Sequence, residues 1–305
     1  MKVIVTGGCG FIGSNLVDRL IKEGFDTYVI DNLSTGKIEF LNPRAKFYQS
    51  DILDIQKMKS IFDDVKPNAV FHLAAQIDVQ ASIRNPEQDA NINILGSINL
   101  IELCKAYKSK LIYSSSAAVY GTPLYLPVCE QHLIKPLSNY GISKYTPELY
   151  IRCYAQLYNL KFIILRYSNV YGPRQKLTGE GGVISIFINK MINDETPLIF
   201  GDGQQTRDFI YVEDVVSANL AALKAEKSGT YNISSNKRIS INELIGKINN
   251  NLNKNIVPEY KQGRIGDIDH SCLDNQLAKT ELNWQPNYTI IDGITKTCRF
   301  NEKNQ

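Results

Sequence analysis

The sequence has no hydrophobic run of the length that a membrane-spanning helix needs. Its apolar stretches are short, as in Phe162-Ile163-Ile164-Leu165, whereas a bilayer span takes about 20 apolar residues. The first residues, MKVIVTGG, turn to glycine too soon for the apolar core of a signal peptide. We therefore expect a cytoplasmic protein without a membrane segment.

Cysteine and histidine are few and scattered. No two of the six cysteines are closer than 24 residues, there is no Cys-x-x-Cys pair, and the three histidines, His72, His132 and His270, are far apart. This spacing does not favour a zinc ribbon, a dithiol redox site or a disulfide framework. We expect a reduced protein that holds no metal.

An excess of charge of one sign is also missing. Lysine and arginine number 34 and aspartate and glutamate 31, which gives a net charge of +3. Such a balance does not predict nucleic-acid binding. With 305 residues, of which 43% are hydrophobic, the chain can bury a sizeable core as one large domain or two ordinary ones.

The first half of the chain alternates apolar strands with amphipathic helices. The pattern predicts strands at 3–5, 27–30, 46–49, 69–73, 110–113 and 162–165, and helices at 11–23, 55–65, 90–107 and 139–157. Strands with two apolar faces, separated by helices, predict a doubly wound parallel sheet of the Rossmann type.

The pattern loosens after about residue 166. Helices are predicted at 184–193 and 241–252, and the polar segment 299–305 is predicted to fray. We expect a Rossmann domain over 1–168, to which later segments return, and a smaller α/β C-terminal lobe, mainly for the substrate, over 169–305.

Three glycines stand between the first predicted strand and the first predicted helix. In the run VIVTGGCGFIG (3–13), Gly7 permits a tight turn, Gly10 lets backbone approach a pyrophosphate, and Gly13 lets the helix pack on the strand. Asp31 follows 18 residues beyond Gly13, where a carboxylate binds the ribose 2′-OH and repels a 2′-phosphate. The pattern predicts NAD rather than NADP.

A tyrosine and a lysine lie four residues apart on one predicted helix face. They are Tyr140 and Lys144, and Ser116 closes a serine run that follows the fifth strand. The pKa of tyrosine is ordinarily ~10, and a nearby ammonium together with a nicotinamide ring favours the phenolate. A phenolate can remove a hydroxyl proton from a bound sugar, with Ser116 sharing the hydrogen bond.

Motifs along almost the whole chain carry a family resemblance. They are TGGCGFIGS (6–14), DNLSTG (31–36), HLAAQ (72–76), SSSAAVYG (114–121), YGISK (140–144), RYSNVYGPRQ (166–175), GDGQQTRDFIYVEDV (201–215) and RIGD (264–267). The chain resembles the extended short-chain dehydrogenase/reductases of the NAD-dependent nucleotide-sugar epimerase/dehydratase branch, and within it the UDP-glucose (UDP-hexose) 4-epimerases. The resemblance implies NAD, a UDP-sugar substrate, and a homodimer formed through helices 90–107 and 139–157.

The resemblance also implies roles for individual residues. The expected cofactor-binding residues are Gly7, Gly10, Phe11, Ile12, Gly13, Asp31, Asn32, Thr35, Gly36, Asp51, Ile52, Leu73, Ala74, Ala75, Asn91, Ser114, Tyr140, Lys144 and Tyr167. The expected substrate-binding residues are Ser116, Tyr140, Asn169, Arg207, Arg264, Asp267 and Ser271. Tyr140, Lys144 and Ser116 are the expected catalytic residues.

Two alanines after Ser116 separate the possible reactions. Related sugar 4,6-dehydratases carry an Asp-Glu pair here and related decarboxylases a glutamate, whereas this chain has Ala117 and Ala118. The resemblance therefore implies reversible C4 epimerisation through a 4-keto sugar. Ser271, four residues after Asp267, stands where a tyrosine favours plain hexoses and a small residue admits N-acetyl groups, so UDP-Glc and UDP-GlcNAc are both expected to fit.

Two alternatives stay open. Another NDP-sugar epimerase or reductase, such as a UDP-glucuronate 4-epimerase, has the same motifs, because the residues that meet the C6 group are not evident in one sequence. A non-catalytic NAD-sensing regulator of the same fold is a further alternative, although such a chain is expected to lack Tyr140 or Lys144.

Overall fold

A computed structural model describes residues 1–177, 182–263 and 268–303. Its strands are β1 (Lys2–Thr6), β2 (Asp26–Asp31), β3 (Lys46–Gln49), β4 (Ala69–His72), β5 (Lys110–Ser116), β6 (Phe162–Tyr167), β7 (Asn169–Tyr171), β8 (Leu198–Phe200), β9 (Thr206–Arg207), β10 (Phe209–Tyr211), β11 (Gly229–Ile233), β12 (Ile239–Ser240) and β13 (Glu259–Lys261). No helix among the described residues is long and apolar enough to cross a membrane.

The helices alternate with these strands in the first half of the chain. They are α1 (Phe11–Lys22), α2 (Ile55–Val65), α3 (Val79–Arg84), α4 (Pro86–Ala90), α5 (Gly96–Tyr107), α6 (Asn139–Tyr158), α7 (Val183–Ile192), α8 (Val212–Lys224), α9 (Ile241–Leu252), α10 (Gln276–Glu281) and α11 (Ile290–Lys303). A π-helical turn, Asn91–Leu95, joins α4 to α5, and a 3-10 turn, Ala117–Val119, follows β5.

Seven parallel strands form the central sheet in the order β11-β6-β5-β4-β1-β2-β3. The prediction of a doubly wound parallel sheet is confirmed. From β1 the strand order runs outwards through β2 to β3 and then continues with β4 on the other side of β1. In parallel sheets with such a switch point, ligands bind beyond the carboxyl ends of the strands there.

Alternating side chains of each strand enter two separate cores. Val3 and Val5 of β1 pack with α1 and α8 on one face, and Ile4 packs with α2, α5 and α6 on the other. Helices therefore shield both faces of the sheet from water, which is why these strands are continuous apolar runs in the sequence.

The second half of the chain supplies more regular structure than its sequence predicts. β11 is an edge strand of the central sheet and pairs with β6, and α8 packs beside α1. A third core joins α7, α9 and α11 to β7 and β10. The prediction that 299–305 frays is wrong as far as Lys303, since α11 continues to that residue and buries Asn301. The division at residue 168 stays a prediction.

Candidate active site

The loop between β1 and α1 is closely packed backbone. Gly7 has a φ of +69° and its N–H donates to Ile30 O at 2.9 Å. A Cβ on Gly13 would lie 2.1 Å from Gly7 O, and a Cβ on Gly7 would lie 2.7 Å from Ala74 N. α1 begins at Phe11 without a side-chain cap. Its first N–H groups are therefore available to an anion such as a pyrophosphate.

Asp31 closes β2 next to this loop and is almost fully buried. Its carboxylate accepts the Cys9 N–H at 2.9 Å and the Leu33 N–H at 2.8 Å, one on each oxygen. Each oxygen retains a second lone pair. A Cβ on Gly36 would lie 2.9 Å from the carboxylate, so a glycine at this position leaves the carboxylate accessible to a ligand. The carboxylate is suited to receive ribose hydroxyls.

The remaining residues expected to bind the adenosine half lie around the same strand ends. Asn32 donates to Asp51 Oδ2 at 2.7 Å, so these two side chains meet. Ile52 is buried against Gly96 of α5, and Thr35 is exposed in the loop after Asn32. Leu73, Ala74 and Ala75 follow β4, and the Ala74 N–H donates to Thr6 Oγ1 at 3.3 Å.

The start of α6 brings Tyr140 to the end of β5. The Ser138 side chain caps α6 by accepting the Gly141 N–H at 3.1 Å, which places Tyr140 in the first turn and Lys144 in the next. Ser116 is the last residue of β5, and its hydroxyl lies near enough to the Tyr140 hydroxyl to lower the pKa of Tyr140. The structure thus brings the three expected catalytic residues to one edge of the sheet.

Burial dominates the electrostatics of Tyr140 in the chain without a ligand. Burial raises the pKa of Tyr140 above its usual value, with the Ser116 hydroxyl opposing the shift and the charge of Asp89 adding to it. Burial also lowers the pKa of Lys144 to about 8, and its Nζ lies 4.9 Å from the centre of the Tyr113 ring. In the free chain both groups are therefore shifted towards their neutral forms.

Tyr167 and Ser114 meet on the opposite side of β5 and β6. Their hydroxyls are 3.1 Å apart, and Asn219 of α8 donates to the Tyr167 hydroxyl at 2.9 Å. Sequence reasoning missed Asn219, because it missed the helix that carries it. The available signal was an asparagine in the segment 215–223, which is apolar apart from Ser217 and Asn219.

The π-helical turn carries a second group that sequence reasoning missed. Asn91 begins the turn, and Asn93 within it is buried. The Asn93 amide donates to Asp89 Oδ1 at 3.1 Å and to Ser143 Oγ at 2.9 Å. Ser143 precedes Lys144, so this turn braces the helix that carries Lys144. π-turns occur frequently at functional sites.

His72 is buried at the end of β4 and acts as a structural group. Its ring nitrogens hydrogen-bond Thr6 Oγ1 at 2.9 Å and Ser97 Oγ at 3.0 Å. Burial and the charge of Lys144 lower its pKa to about 3, so it is neutral at physiological pH.

The residues expected to bind the substrate form a second group around β7 and β9. Asn169 opens β7, which pairs with β10, and Arg207 lies in β9. The Arg207 guanidinium donates to Asp269 O at 3.2 Å, and Ser271 N donates to Thr206 O at 3.1 Å, which brings Ser271 next to Arg207. Arg264 and Asp267 lie outside the described residues.

A family model of the NAD dependent epimerase/dehydratase family matches residues 3–234. The chain belongs to this family. The resemblance carried by the motifs is confirmed, and NAD is the cofactor on which the family depends. The glycine cradle and the open Asp31 carboxylate of this chain fit that cofactor.

Two relatives match this family member along nearly its whole length. A putative UDP-glucose 4-epimerase of Methanocaldococcus jannaschii is 46% identical over 99% of both chains. A UDP-glucuronate 4-epimerase of Thermodesulfobacterium geofontis is 36% identical over 99% of this chain and 96% of its own.

Solved structures of family members have the same fold. A UDP-glucose 4-epimerase of Thermotoga maritima with UDP-glucose matches with a TM-score of 0.97 and 42% identity, over 100% of this chain and 99% of its own. A UDP-N-acetylglucosamine 4-epimerase of Methanobrevibacter ruminantium with UDP-N-acetylmuramic acid has a TM-score of 0.94 and 36% identity over the same shares. A UDP-glucose 4-epimerase of Thermus thermophilus with NAD has a TM-score of 0.93 and 34% identity over 99% of both chains.

Proposed function

We propose that this chain catalyses the reversible C4 epimerisation of a UDP-hexose through a transient 4-keto sugar. UDP-Glc and UDP-Gal are the expected pair, and UDP-GlcNAc and UDP-GalNAc a second. The observation that carries the proposal is the approach of Tyr140 to Ser116 at the end of β5, where Ala117 and Ala118 follow. The site has an oxygen that can take a proton, and neither position after Ser116 has a carboxylate for eliminating water.

NAD would be held by the strand ends around the β1–α1 loop. The residues proposed for it are Gly7, Gly10, Phe11, Ile12 and Gly13 at the pyrophosphate, Asp31, Asn32, Thr35, Gly36, Asp51 and Ile52 around the adenosine, and Leu73, Ala74, Ala75, Asn91, Ser114, Tyr140, Lys144 and Tyr167 along the rest. When bound, NAD would supply a positive charge and a reversible acceptor for the hydride of C4.

Tyr140 takes the proton of the C4 hydroxyl and later gives it back. Burial opposes the phenolate form of Tyr140 in the free chain, so positive charge nearby has to lower its pKa before it can act as a base. Lys144 supplies part of that charge. Ser116 hydrogen-bonds the reacting oxygen and keeps it next to the Tyr140 hydroxyl.

The nucleotide is gripped firmly while the hexose is held loosely. Arg207 and Arg264 are proposed to bind the diphosphate, because the guanidinium fork matches phosphate oxygens. Asn169 and Asp267 are proposed to add contacts to the nucleotide sugar. A loosely held 4-keto sugar can turn and present its other face before it is reduced.

The decisive experiment is an epimerisation assay of the purified chain loaded with NAD. UDP-glucose and UDP-N-acetylglucosamine are incubated separately, and the galacto epimers are measured. We expect both products to form without net change in NAD. Absence of an epimer from every UDP-hexose tested, with NAD bound, contradicts the proposal.

A tyrosine at Ser271 is expected to select between the two sugars. Ser271→Tyr places a large ring next to Arg207 and fills the room for the acetamido group. We expect kcat/KM for UDP-GlcNAc to fall by about 10-fold or more, the scale of a steric effect of 1–3 kcal/mol, with UDP-Glc nearly unchanged. Ser271→Ala is the control, and an equal loss on both substrates contradicts the assignment.

A UDP-glucuronate 4-epimerase is the second candidate, favoured by the relative of that name that matches almost end to end. UDP-glucuronate is therefore included as a third substrate in the same assay. Faster turnover of this sugar than of the two neutral sugars assigns the chain to the acidic series. The regulator alternative receives no support from Tyr140 and Lys144, since the chain has both residues.

We propose that the protein is a cytoplasmic homodimer. The six free cysteines suit a reducing compartment, and α6 exposes Leu149, Tyr150, Leu157 and Tyr158 along its outer face.

Leu149→Glu combined with Leu157→Glu puts unpaired charges on this face, and we expect a monomer in sedimentation equilibrium. Leu124→Glu, at an exposed leucine in the loop before α6, is the control that stays dimeric.

A further inference from the structure

A buried ion pair lies beside the catalytic residues. The side chains of Glu148 on α6 and Arg166 on β6 are 0% and 2% exposed. Arg166 Nη2 is 2.5 Å from Glu148 Oε2, and Arg166 Nε donates to Oε1 at 3.0 Å, which makes the pair bidentate. Two charges without water are tolerated only when their remaining polar atoms are also satisfied.

Hydrogen bonds with neighbouring segments satisfy these remaining polar atoms. Ser115 Oγ of β5 donates to Glu148 Oε1 at 2.6 Å. Arg166 Nη1 donates to the Tyr120 hydroxyl at 2.9 Å, and Tyr120 in turn donates to Asn232 Oδ1 of β11 at 2.7 Å. The cluster therefore ties α6 to three adjacent strands of the sheet.

Three residues of this cluster are next to residues of the proposed site. Ser115 precedes Ser116 in β5, and Arg166 precedes Tyr167 in β6, with Ser115 opposite Arg166 and Ser116 opposite Tyr167 in the strand register. Glu148 follows Lys144 by one helical turn. Nothing in the proposed chemistry uses Glu148 or Arg166, although they are the most deeply buried charged pair among the described residues.

We propose that Glu148 and Arg166 are a positioning pair that fixes the catalytic helix on the ends of β5 and β6, so that Tyr140 stays against Ser116 and Lys144 stays one turn from the Glu148 carboxylate. This inference rests on the proposed function for its catalytic consequence. Its structural part, the seating of α6, does not depend on the substrate.

The charged surroundings of Lys144 support the second half of this proposal. Burial lowers its pKa to about 8, and the carboxylates of Asp89 on α4 and Glu148 on its own helix oppose that shift. His72 from β4 is neutral, the buried Tyr113 of β5 lies under the Lys144 Nζ, and Tyr140 lies one turn before it. Removing the Glu148 charge lowers the pKa of Lys144 further, so the ammonium is lost at lower pH.

The test compares Glu148→Gln with the double variant Glu148→Gln/Arg166→Met. The single variant leaves Arg166 buried without its bidentate partner and is expected to lower Tm, whereas the double variant removes both charges and is expected to fold with a Tm near that of the wild type. In both we expect kcat to fall by about 10- to 100-fold, the scale of a small displacement of reacting groups. We expect KM to change little and the high-pH limit of kcat to move to lower pH.

The control is Asp214→Asn, a buried carboxylate of α8 that accepts the Asn287 and Tyr288 N–H groups. It is expected to lower Tm without moving kcat or its pH limit. A double variant with wild-type kcat and pH limit overturns the positioning role.

A crystal structure of the double variant gives a readout without activity. A shift of α6 that moves the Tyr140 hydroxyl away from Ser116 supports the pair, and an unchanged position contradicts it. If the wild-type chain epimerises no UDP-sugar, the proposed function fails and this structure still decides the seating of α6.

Discussion

Tyr140→Phe is expected to lower kcat by about 10²- to 10⁴-fold, the range over which a general acid–base contributes. The substitution removes one oxygen at the end of β5 and leaves the ring in place. Tyr140 is joined to the rest of the chain by its backbone N–H to Ser82 Oγ at 3.1 Å, which phenylalanine retains. We therefore expect Tm, NAD content and UDP affinity to remain close to those of the wild type.

The matched control is Tyr150→Phe, on the exposed face of the same helix. It loses an equivalent hydroxyl away from Ser116 and keeps its ring on the proposed dimer face, so its kcat is expected to stay within about twofold of the wild type. Initial rates at saturating UDP-glucose measure both. A Tyr140→Phe variant with wild-type kcat would remove the central chemical claim, since no other hydroxyl is assigned to the C4 proton.

The half of the fold built on β1 to β6 could be predicted because its signals are local. α2 and β3 have the bounds that their sequence predicts, since Asp54 caps α2 and Pro67 follows its end. α8 escaped prediction for a physical reason: nine of its residues are buried, so it has no broad polar face to reveal a helical period. α11 escaped because its buried stripe includes Thr297 and Asn301, which resemble surface residues.

Part of the candidate site could likewise be predicted from the sequence, and part could not. Strand ends determine where the glycines and Asp31 lie, and one helical turn separates Tyr140 from Lys144. Strand ends and helical spacing are both local patterns that can be recognised in the sequence. The direction of the Tyr140 pKa shift depends on burial depth, which the sequence does not display. Glu148 and Asp89 were missed because a charged residue in a helix is ordinarily solvated, and only tertiary packing reveals a buried one.

Gly13→Ala is expected to abolish NAD retention and to lower Tm. The added methyl would lie 2.1 Å from Gly7 O, 2.8 Å from Gly7 C and 2.9 Å from Gly8 Cα, all backbone atoms that no side-chain rotation can move. Either α1 moves off β1 or the loop opens, and both changes spoil the N–H groups that face the pyrophosphate. NAD released by denaturing the purified chain measures the loss.

Gly246→Ala is the control for that substitution, because it adds the same methyl where nothing lies within 4 Å. Gly246 is in the interior of α9, so alanine there is expected to stabilise the chain by about 0.5–1 kcal/mol through backbone entropy. NAD content is expected to be unchanged. A Gly13→Ala chain that retains a full complement of NAD would mean that the β1–α1 loop does not bind the pyrophosphate. The proposed position of the nicotinamide beside Tyr140 would then lose its support, because it is inferred from pyrophosphate binding at this loop.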